Sequence, residues 1–379
     1  MSTHALQALR REIDAIDGQL ADLFAQRMHI SDEVAQRKRD NNLSLSDPNR
    51  EREVIDRAVA QVDASLHGYA AMFMRSLITL SKDRQRKLLI PEELPLLPPR
   101  RARKTESVVC AYQGVPGAWG EHAQRQFFPD AHSLPMEYFE DVFTAVKLGQ
   151  ADYGVLPIEN SQTGAIGEVY DLLKKFGLFI TGQTWVSVKH CLMAPADTTL
   201  RDIRQVYSHP EGFRQCHNFL KKHNWDLTAC RNTAVAAQTV RDAADGKSAA
   251  IGSRRAAECN GLAIVVDGIA DQETNRTRFV LIAAAPAYDD QSDIVSVSFS
   301  TAHRSGALCE TLLPFMSEAI NLSRIESRPV SGGKYRFFAD LQCHIENPAA
   351  IQAIRQAAAT CEYFEVLGCY SDTPAGCTP

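Results

Sequence analysis

Between residues 4 and 40 the apolar positions fall at Leu6, Leu9, Ile13, Ile16, Leu20, Leu23, Ile30 and Val34, in steps of three and four, with no proline and one glycine. That rhythm is the heptad seam of one very long helix. Asp47-Pro48 then supplies an N-cap followed by a first-turn proline, which starts a second helix. A third helix is expected from about Tyr69 to Leu89. Three helices, one far longer than the others, cannot bury that seam within one chain. The pattern therefore predicts an all-α helical dimerising domain over residues 1–90.

Residues 91–106 form a Pro-rich basic linker, with Pro91, Pro95, Pro98 and Pro99 before Arg100-Arg101-Ala102-Arg103-Lys104. Across 107–286 short β-rich runs alternate with helical ones. Strands are expected at Val108–Tyr112, Tyr153–Pro157, Leu178–Ile180, Ala249–Ile251 and Phe279–Ala283. Helices are expected at Asp141–Leu148, Glu168–Lys175, Phe213–Lys222 and Thr233–Ala243. This is an α/β domain long enough for two lobes with a cleft between them. Residues 292–371 read β-α-β-β-α-β, an α+β ferredoxin-like module. Its strands are Ile294–Ser300, Leu322–Arg328, Tyr335–Ile345 and Glu362–Tyr370; its helices are Ala307–Ile320 and Pro348–Ala359.

Composition narrows the function classes. A chain of 379 residues with net charge −5 offers no electrostatic case for nucleic-acid binding. The ten cysteines are scattered, without a C-x-x-C pair or zinc-ligand spacing, which suits reduced thiols and no metal site. The N-terminus lacks the basic start and apolar run of a signal peptide, and no stretch reaches the roughly 20 apolar residues of a membrane span. The expectation is a cytoplasmic protein with no membrane or nucleic-acid partner.

The seam of the first helix has a fault. The apolar position after Leu20 should fall at residue 27, which is Arg27, and Lys38 lies within about 20° of the same face. A cation there must meet an anion, either a carboxylate such as Glu51 or Asp47 or an anionic ligand. Arg10 lies about 100° around the helix from Arg27, so it could reach such a pocket only in a partner chain. Asp47, Arg50 and Glu51 begin the second helix, and Ser81 and Gln85 are an i, i+4 pair on the third. Such a set holds no nucleophile; it binds a dianion and stabilises charge.

In order and nearly in spacing, Arg10, Arg27, Lys38, Asp47, Arg50, Glu51, Ser81 and Gln85 resemble the pocket of the all-helical chorismate mutases. The resemblance implies an intertwined homodimer or larger homo-oligomer, with Arg10 crossing into the partner's site. It assigns Arg10 and Arg27 to the two carboxylates of chorismate. Arg50 and Glu51 would face the ring hydroxyl, and Lys38 and Gln85 the breaking ether oxygen. Ser81 and Gln85 align after one inserted residue.

In the α/β segment, Gly114, Gly117 and Gly120 lie in a strand-to-helix loop whose N–H groups could approach an anion. Pro157-Ile158-Glu159-Asn160-Ser161 ends one buried strand in polar side chains, where such domains place ligands. Asn275-Arg276-Thr277-Arg278-Phe279 leads into the apolar run Val280–Ala285, which sets Thr277 at a strand end. A lone hydroxyl without an adjacent base suits proton donation better than nucleophilic attack. With Ser208-His209-Pro210, these segments resemble prephenate dehydratase across residues 107–285, a two-lobed, periplasmic-binding-protein-like fold. The resemblance makes Thr277 the acid that helps the ring hydroxyl of prephenate leave. Glu159, Asn160, Ser161, Ser208, Arg278 and Phe279 would bind that substrate. Two positions depart from the family pattern: Gly120, where a hydroxyl residue is expected, and Glu211, where Gln is usual.

Gly306-Ala307-Leu308-Cys309 opens a helix, and Glu326-Ser327-Arg328-Pro329 closes the following strand. They resemble the two effector motifs of the amino-acid-sensing ACT domain, which implies phenylalanine as feedback inhibitor, bound between paired domains. Together the resemblances imply a bifunctional chorismate mutase–prephenate dehydratase working without cofactor or metal. Two rival readings stay open: a helical segment serving only as a dimerisation arm, and a non-enzymatic anion receptor with an amino-acid sensor.

Overall fold

The computed structural model describes residues 3–41, 43–44, 46–89, 96–330 and 333–372. Pro91 and Pro95 of the expected linker and Cys377 lie outside the described residues. The chain divides into two compact units. One comprises Met1–Leu96, Phe299–Asn321 and Glu346–Phe364; the other comprises Leu97–Ser298, Leu322–Ile345 and Glu365–Pro379.

In the first unit α1 (Thr3–Asp40), α2 (Pro48–Val59) and α3 (His67–Leu89) form the expected helical trio. Asp47 caps α2 by accepting from the Arg50 amide, with Pro48 in the first turn. Only the C-terminal half of α1 finds cover. Met28, Ser31 and Ala35 are buried, whereas Leu6, Leu9, Ile13, Ile16, Leu20, Leu23, Ile30 and Val34 remain exposed. The N-terminal part of the seam therefore has no cover among the described residues.

The second unit begins with a sheet whose first strands are β1 (Val109–Gln113), β2 (His132–Met136), β3 (Tyr153–Asn160), β4 (Gly164–Ala165) and β5 (Phe179–Ser187). Helices α4 (Trp119–Phe127), α5 (Phe139–Lys147) and α6 (Gly167–Phe176) accompany them. The chain then leaves to build a second lobe from β6 (Cys191–Ala194), β7 (Gln205–Ser208), β8 (Asp226–Ala229), β9 (Ser248–Gly252) and β10 (Ala263–Val266). Its helices are α7 (Pro210–Gln215), α8 (His217–Leu220), α9 (Thr233–Ala243) and α10 (Arg254–Asn260), so the single helix expected over Phe213–Lys222 is two short ones. It returns to the first lobe as β11 (Arg276–Ala283). The strand orders are β2-β1-β3-β11-β5, with β4 beside β3, and β10-β6-β9-β7-β8. Both sheets are mixed: β1 runs parallel to β2 and β3, while β11 is antiparallel to β3 and β5.

Strand β11 is buried on both faces, which explains its unbroken apolar run. Val280 and Ile282 pack with α5 and α6, through Val142, Phe143, Val169 and Leu173. Phe279, Leu281 and Ala283 pack on the other face with Ala123 and Phe127 of α4. The C-terminal segment follows as β12 (Ile294–Thr301), α11 (Ala307–Ser317), β13 (Leu322–Val330), β14 (Lys334–Gln342), α12 (Pro348–Thr360) and β15 (Cys361–Tyr370). Its sheet order, β13-β14-β12-β15, is that of the ferredoxin-like plan. The segment is not a compact unit by itself. Helices α11 and α12 fall in the first unit and most of the sheet in the second.

Candidate active sites

The helical unit holds a cavity of about 170 Å³ whose lining includes Arg27, Lys38, Asp47, Arg50, Glu51, Ser81 and Gln85. These are seven of the eight residues expected there. The eighth, Arg10, is exposed on the uncovered half of α1. Arg27 donates to the Leu77 carbonyl at 3.1 Å and to the Ser81 hydroxyl, both neutral acceptors. The carboxylate partner offered by Glu51 is already taken, because Lys82 Nζ lies 2.8 Å from it. Burial lowers the Arg27 pKa from its ordinary value. Among the described residues no carboxylate pairs with Arg27, so its charge faces the cavity without a counter-ion, which favours the anionic-ligand alternative. Gln85 donates to Ser31 Oγ at 2.8 Å, while its own Oε1 is buried without a partner among the described residues. Lys82 and Ser31 were not foreseen from the sequence; nothing in their spacing separates them from ordinary helix residues.

The second candidate site is a cavity of about 340 Å³ between the two lobes of the second unit. The first lobe lines it with Gln113, Trp119, Gly120, Asn160, Thr277 and Phe279, and the second with His190, His209, Gln215, Arg231, Asn232 and Thr233, among others. The N-termini of α4, α5 and α9 open onto it, through Ala118, Phe139 and Asn232-Thr233. Converging helix starts present positive dipole ends and suit a dicarboxylate.

Thr277 is the second residue of β11, and its register partner on β3 is Asn160. Asn160 Oδ1 accepts from the amides of Gln162 and Thr163 at 3.0 and 3.2 Å, which fixes the orientation of the carboxamide. Its Nδ2 must then be the donor to Thr277 Oγ1, at 2.9 Å. The threonine hydroxyl accepts that bond and keeps its own hydrogen to donate.

A similar chain fixes His190. Gln215 Nε2 donates to Glu211, so Gln215 Oε1 accepts from His190 Nε2 at 2.8 Å. Burial lowers the pKa of His190 and of His209, which favours the neutral form of each ring. Glu211 is held below the usual carboxylate range by its hydrogen bond to Arg214.

Several expected contacts lie elsewhere. Ser208 is fully buried, donates to the Ile251 carbonyl at 3.0 Å and does not line the cavity. Ser161 is also absent from the lining and accepts from the Arg276 amide at 3.0 Å. Glu159 and Arg278 turn to the opposite face of the sheet from Thr277. Alternation along β11 dictates this for Arg278. For Glu159 the cause is an irregularity in the β3–β11 register, where Phe279 pairs with Pro157 but Arg278 with Glu159. One residue of β3 is skipped, which reverses the side to which the last two residues point. The glycine at 120 also has a local reason: a Cβ there would lie 2.8 Å from the Gln113 carbonyl oxygen, so no hydroxyl side chain fits. Arg231, His190 and Gln215 were missed by sequence reading. Asn232 alone left a signal, as the cap before the expected helix at Thr233.

Residues 110–287 match the family model for prephenate dehydratase, and residues 9–86 match chorismate mutase type II. The bifunctional chorismate mutase/prephenate dehydratase of Escherichia coli (strain K12) is 32% identical, over 97% of this chain and 97% of the relative. The chain belongs to the bifunctional chorismate mutase/prephenate dehydratase family. A prephenate dehydratase from Arthrobacter aurescens, solved in complex with L-Phe, superposes with a TM-score of 0.65 at 28% identity, covering 70% of this chain and 94% of that one. A structure described as a quorum-quenching acylase, GqqA, gives a TM-score of 0.65 at 31% identity, over 70% and 98% of the two chains. Shared fold does not carry chemistry with it, so activity in this family member is argued from its sites. Among the described residues no helix is long and apolar enough to cross a membrane, and no cluster of His, Cys, Asp and Glu could hold a metal ion.

Proposed function

We propose that this chain rearranges chorismate to prephenate in the helical cavity and converts prephenate to phenylpyruvate in the interlobe cleft. The observation that carries the proposal is the pairing of two different anion sites on one chain. One is an uncompensated arginine among neutral hydrogen-bonders; the other is a threonine hydroxyl held as a donor at converging helix starts.

In the first site Arg27 would bind one carboxylate of chorismate and Arg10 of a second copy the other. The exposed apolar seam of α1 supports such an intertwined dimer. Arg50 and Glu51 would address the ring hydroxyl, with Asp47 and Ser81 completing the wall. Lys38 and Gln85, through the Nε2 hydrogen not given to Ser31, would meet the ether oxygen as charge builds on it. The rearrangement is unimolecular, so holding a compact conformer and stabilising that oxygen are sufficient.

In the cleft Thr277 would donate to the leaving ring hydroxyl. The C–CO₂ bond breaks, its electron pair enters the ring, and the C–O bond opens with uptake of one proton to release water. Aromatisation drives the step, so the protein needs to bind the dicarboxylate and assist the leaving oxygen. Asn160, Phe279, His190 and Arg231 would shape the pocket. Segment 292–371 is proposed as an ACT-type regulatory module taking phenylalanine at Gly306-Ala307-Leu308-Cys309 and Glu326-Ser327-Arg328-Pro329. The L-Phe-bound relative supports that reading. An effector there inhibits by favouring a less active state.

Arg27→Ala tests the division of labour. The variant should lose chorismate consumption while turning over supplied prephenate at the wild-type rate. Unchanged mutase activity would reduce the helical segment to a dimerisation arm.

A further inference from the structure

The end of β11 presents two faces, and only one belongs to the cleft. Thr277 and its partner Asn160 face the cavity, while the next register pair, Arg278 and Glu159, faces the C-terminal sheet. There Arg278, 5% exposed, donates to Asp340 Oδ2 at 2.7 Å, and Asp340 is itself 5% exposed. Asp340 Oδ1 accepts from Ser296 Oγ at 2.5 Å, which leaves the Tyr370 hydroxyl as donor to Ser296 at 2.6 Å. Glu159 completes the cluster through Arg324 Nε at 3.0 Å, and lies 4.0 Å from Arg278. Each strand of the C-terminal sheet supplies one member: Ser296 from β12, Arg324 from β13, Asp340 from β14 and Tyr370 from β15.

Buried charges are tolerated only when paired and hydrogen-bonded, and such pairs fix geometry more surely than they add stability. Here the fixed element is the two-residue strand end that carries the cleft hydroxyl. We propose that Asp340 is a positioning residue for the dehydratase reaction, holding Arg278 and through it the placement of Thr277, so that the C-terminal sheet is part of the dehydratase's working structure. The inference rests on the reading of Thr277 as the cleft donor.

The test uses the full-length protein with Asp340→Asn, which keeps the shape and removes the charge. Prephenate kcat should fall by about tenfold to hundredfold, the scale of a misplaced reacting group, with KM little changed. Chorismate consumption in the same protein should remain at wild type and serves as the folding control. A lower thermal midpoint with an unchanged kcat would make the cluster merely structural and overturn the proposal. Should Asp340→Asn fail to fold, Ser296→Ala decides by the same criterion: a reduced kcat at constant KM supports the proposal and a wild-type kcat overturns it. Thr277→Ala separates the two levels. Full turnover in that variant would remove the reading of the cleft itself, whereas loss of turnover beside an unaffected Asp340→Asn would sink only the positioning role.

Discussion

At the scale of single residues, chemistry in the cleft depends on which partner holds each hydrogen. Asn160 is oriented by two backbone amides and donates to Thr277, so the threonine keeps its own proton to donate. Asn160→Ala should therefore lower prephenate kcat by roughly 10²-fold, the low end of general-acid effects, in a steady-state assay, with chorismate consumption intact. The neutral histidines make a pH prediction. His190 and His209 have folded pKa values lowered by burial, so the native state binds fewer protons than the unfolded chain. Their contribution to stability is present above the ordinary value of 6.5 and is lost as pH falls below it. Thermal midpoints measured across that range should decline on acidification, and less steeply for His190→Gln. Motifs made Thr277, Asn160 and Phe279 legible in the sequence. Glu159 and Arg278 belonged to the same motifs, but side-chain direction depends on strand alternation and on one skipped residue in the register. A linear sequence does not display that irregularity.

Among elements, the strand-to-helix loop before α4 shows how tightly the cleft is built. Gly117 has φ +91°, and a Cβ there would lie 2.5 Å from Ala256 Cα of α10, so the lobes meet at this point. Gly120 abuts the Gln113 carbonyl. Gly120→Ser, which restores the hydroxyl expected from the family pattern, should destabilise the protein by about 1–3 kcal/mol through overpacking, read by denaturant unfolding. A variant as stable as wild type would show that the loop can move aside. Most elements were readable because their periods were clean: the seam of α1, the capped start of α2, the apolar run of β11. The strands that escaped, β2, β4, β6, β7, β8 and β10, are short. Strand β6 is also buried along its whole length, which erases alternation.

For the whole molecule, the exposed seam of α1 is the observation that supports the proposed dimer. Fully burying a leucine or isoleucine contributes about 1.5–3 kcal/mol, and Leu6, Leu9, Ile13, Ile16, Leu20 and Leu23 are all uncovered. Ile13→Lys with Ile16→Lys should dissociate the protein in sedimentation analysis and abolish mutase activity. Arg10→Ala and Arg27→Ala should each lack mutase activity, yet regain part of it when the two proteins are unfolded, mixed and refolded. Only a site shared between copies allows that recovery. In the sequence, the expectation of a partner rests on the length of the seam.

The central claim is that two consecutive reactions occupy separate sites on one chain. Chorismate supplied to purified Thr277→Ala protein tests it most directly. Chorismate should disappear at the wild-type rate while prephenate accumulates and phenylpyruvate does not form. Phenylpyruvate appearing as fast as from the wild-type protein would contradict the account.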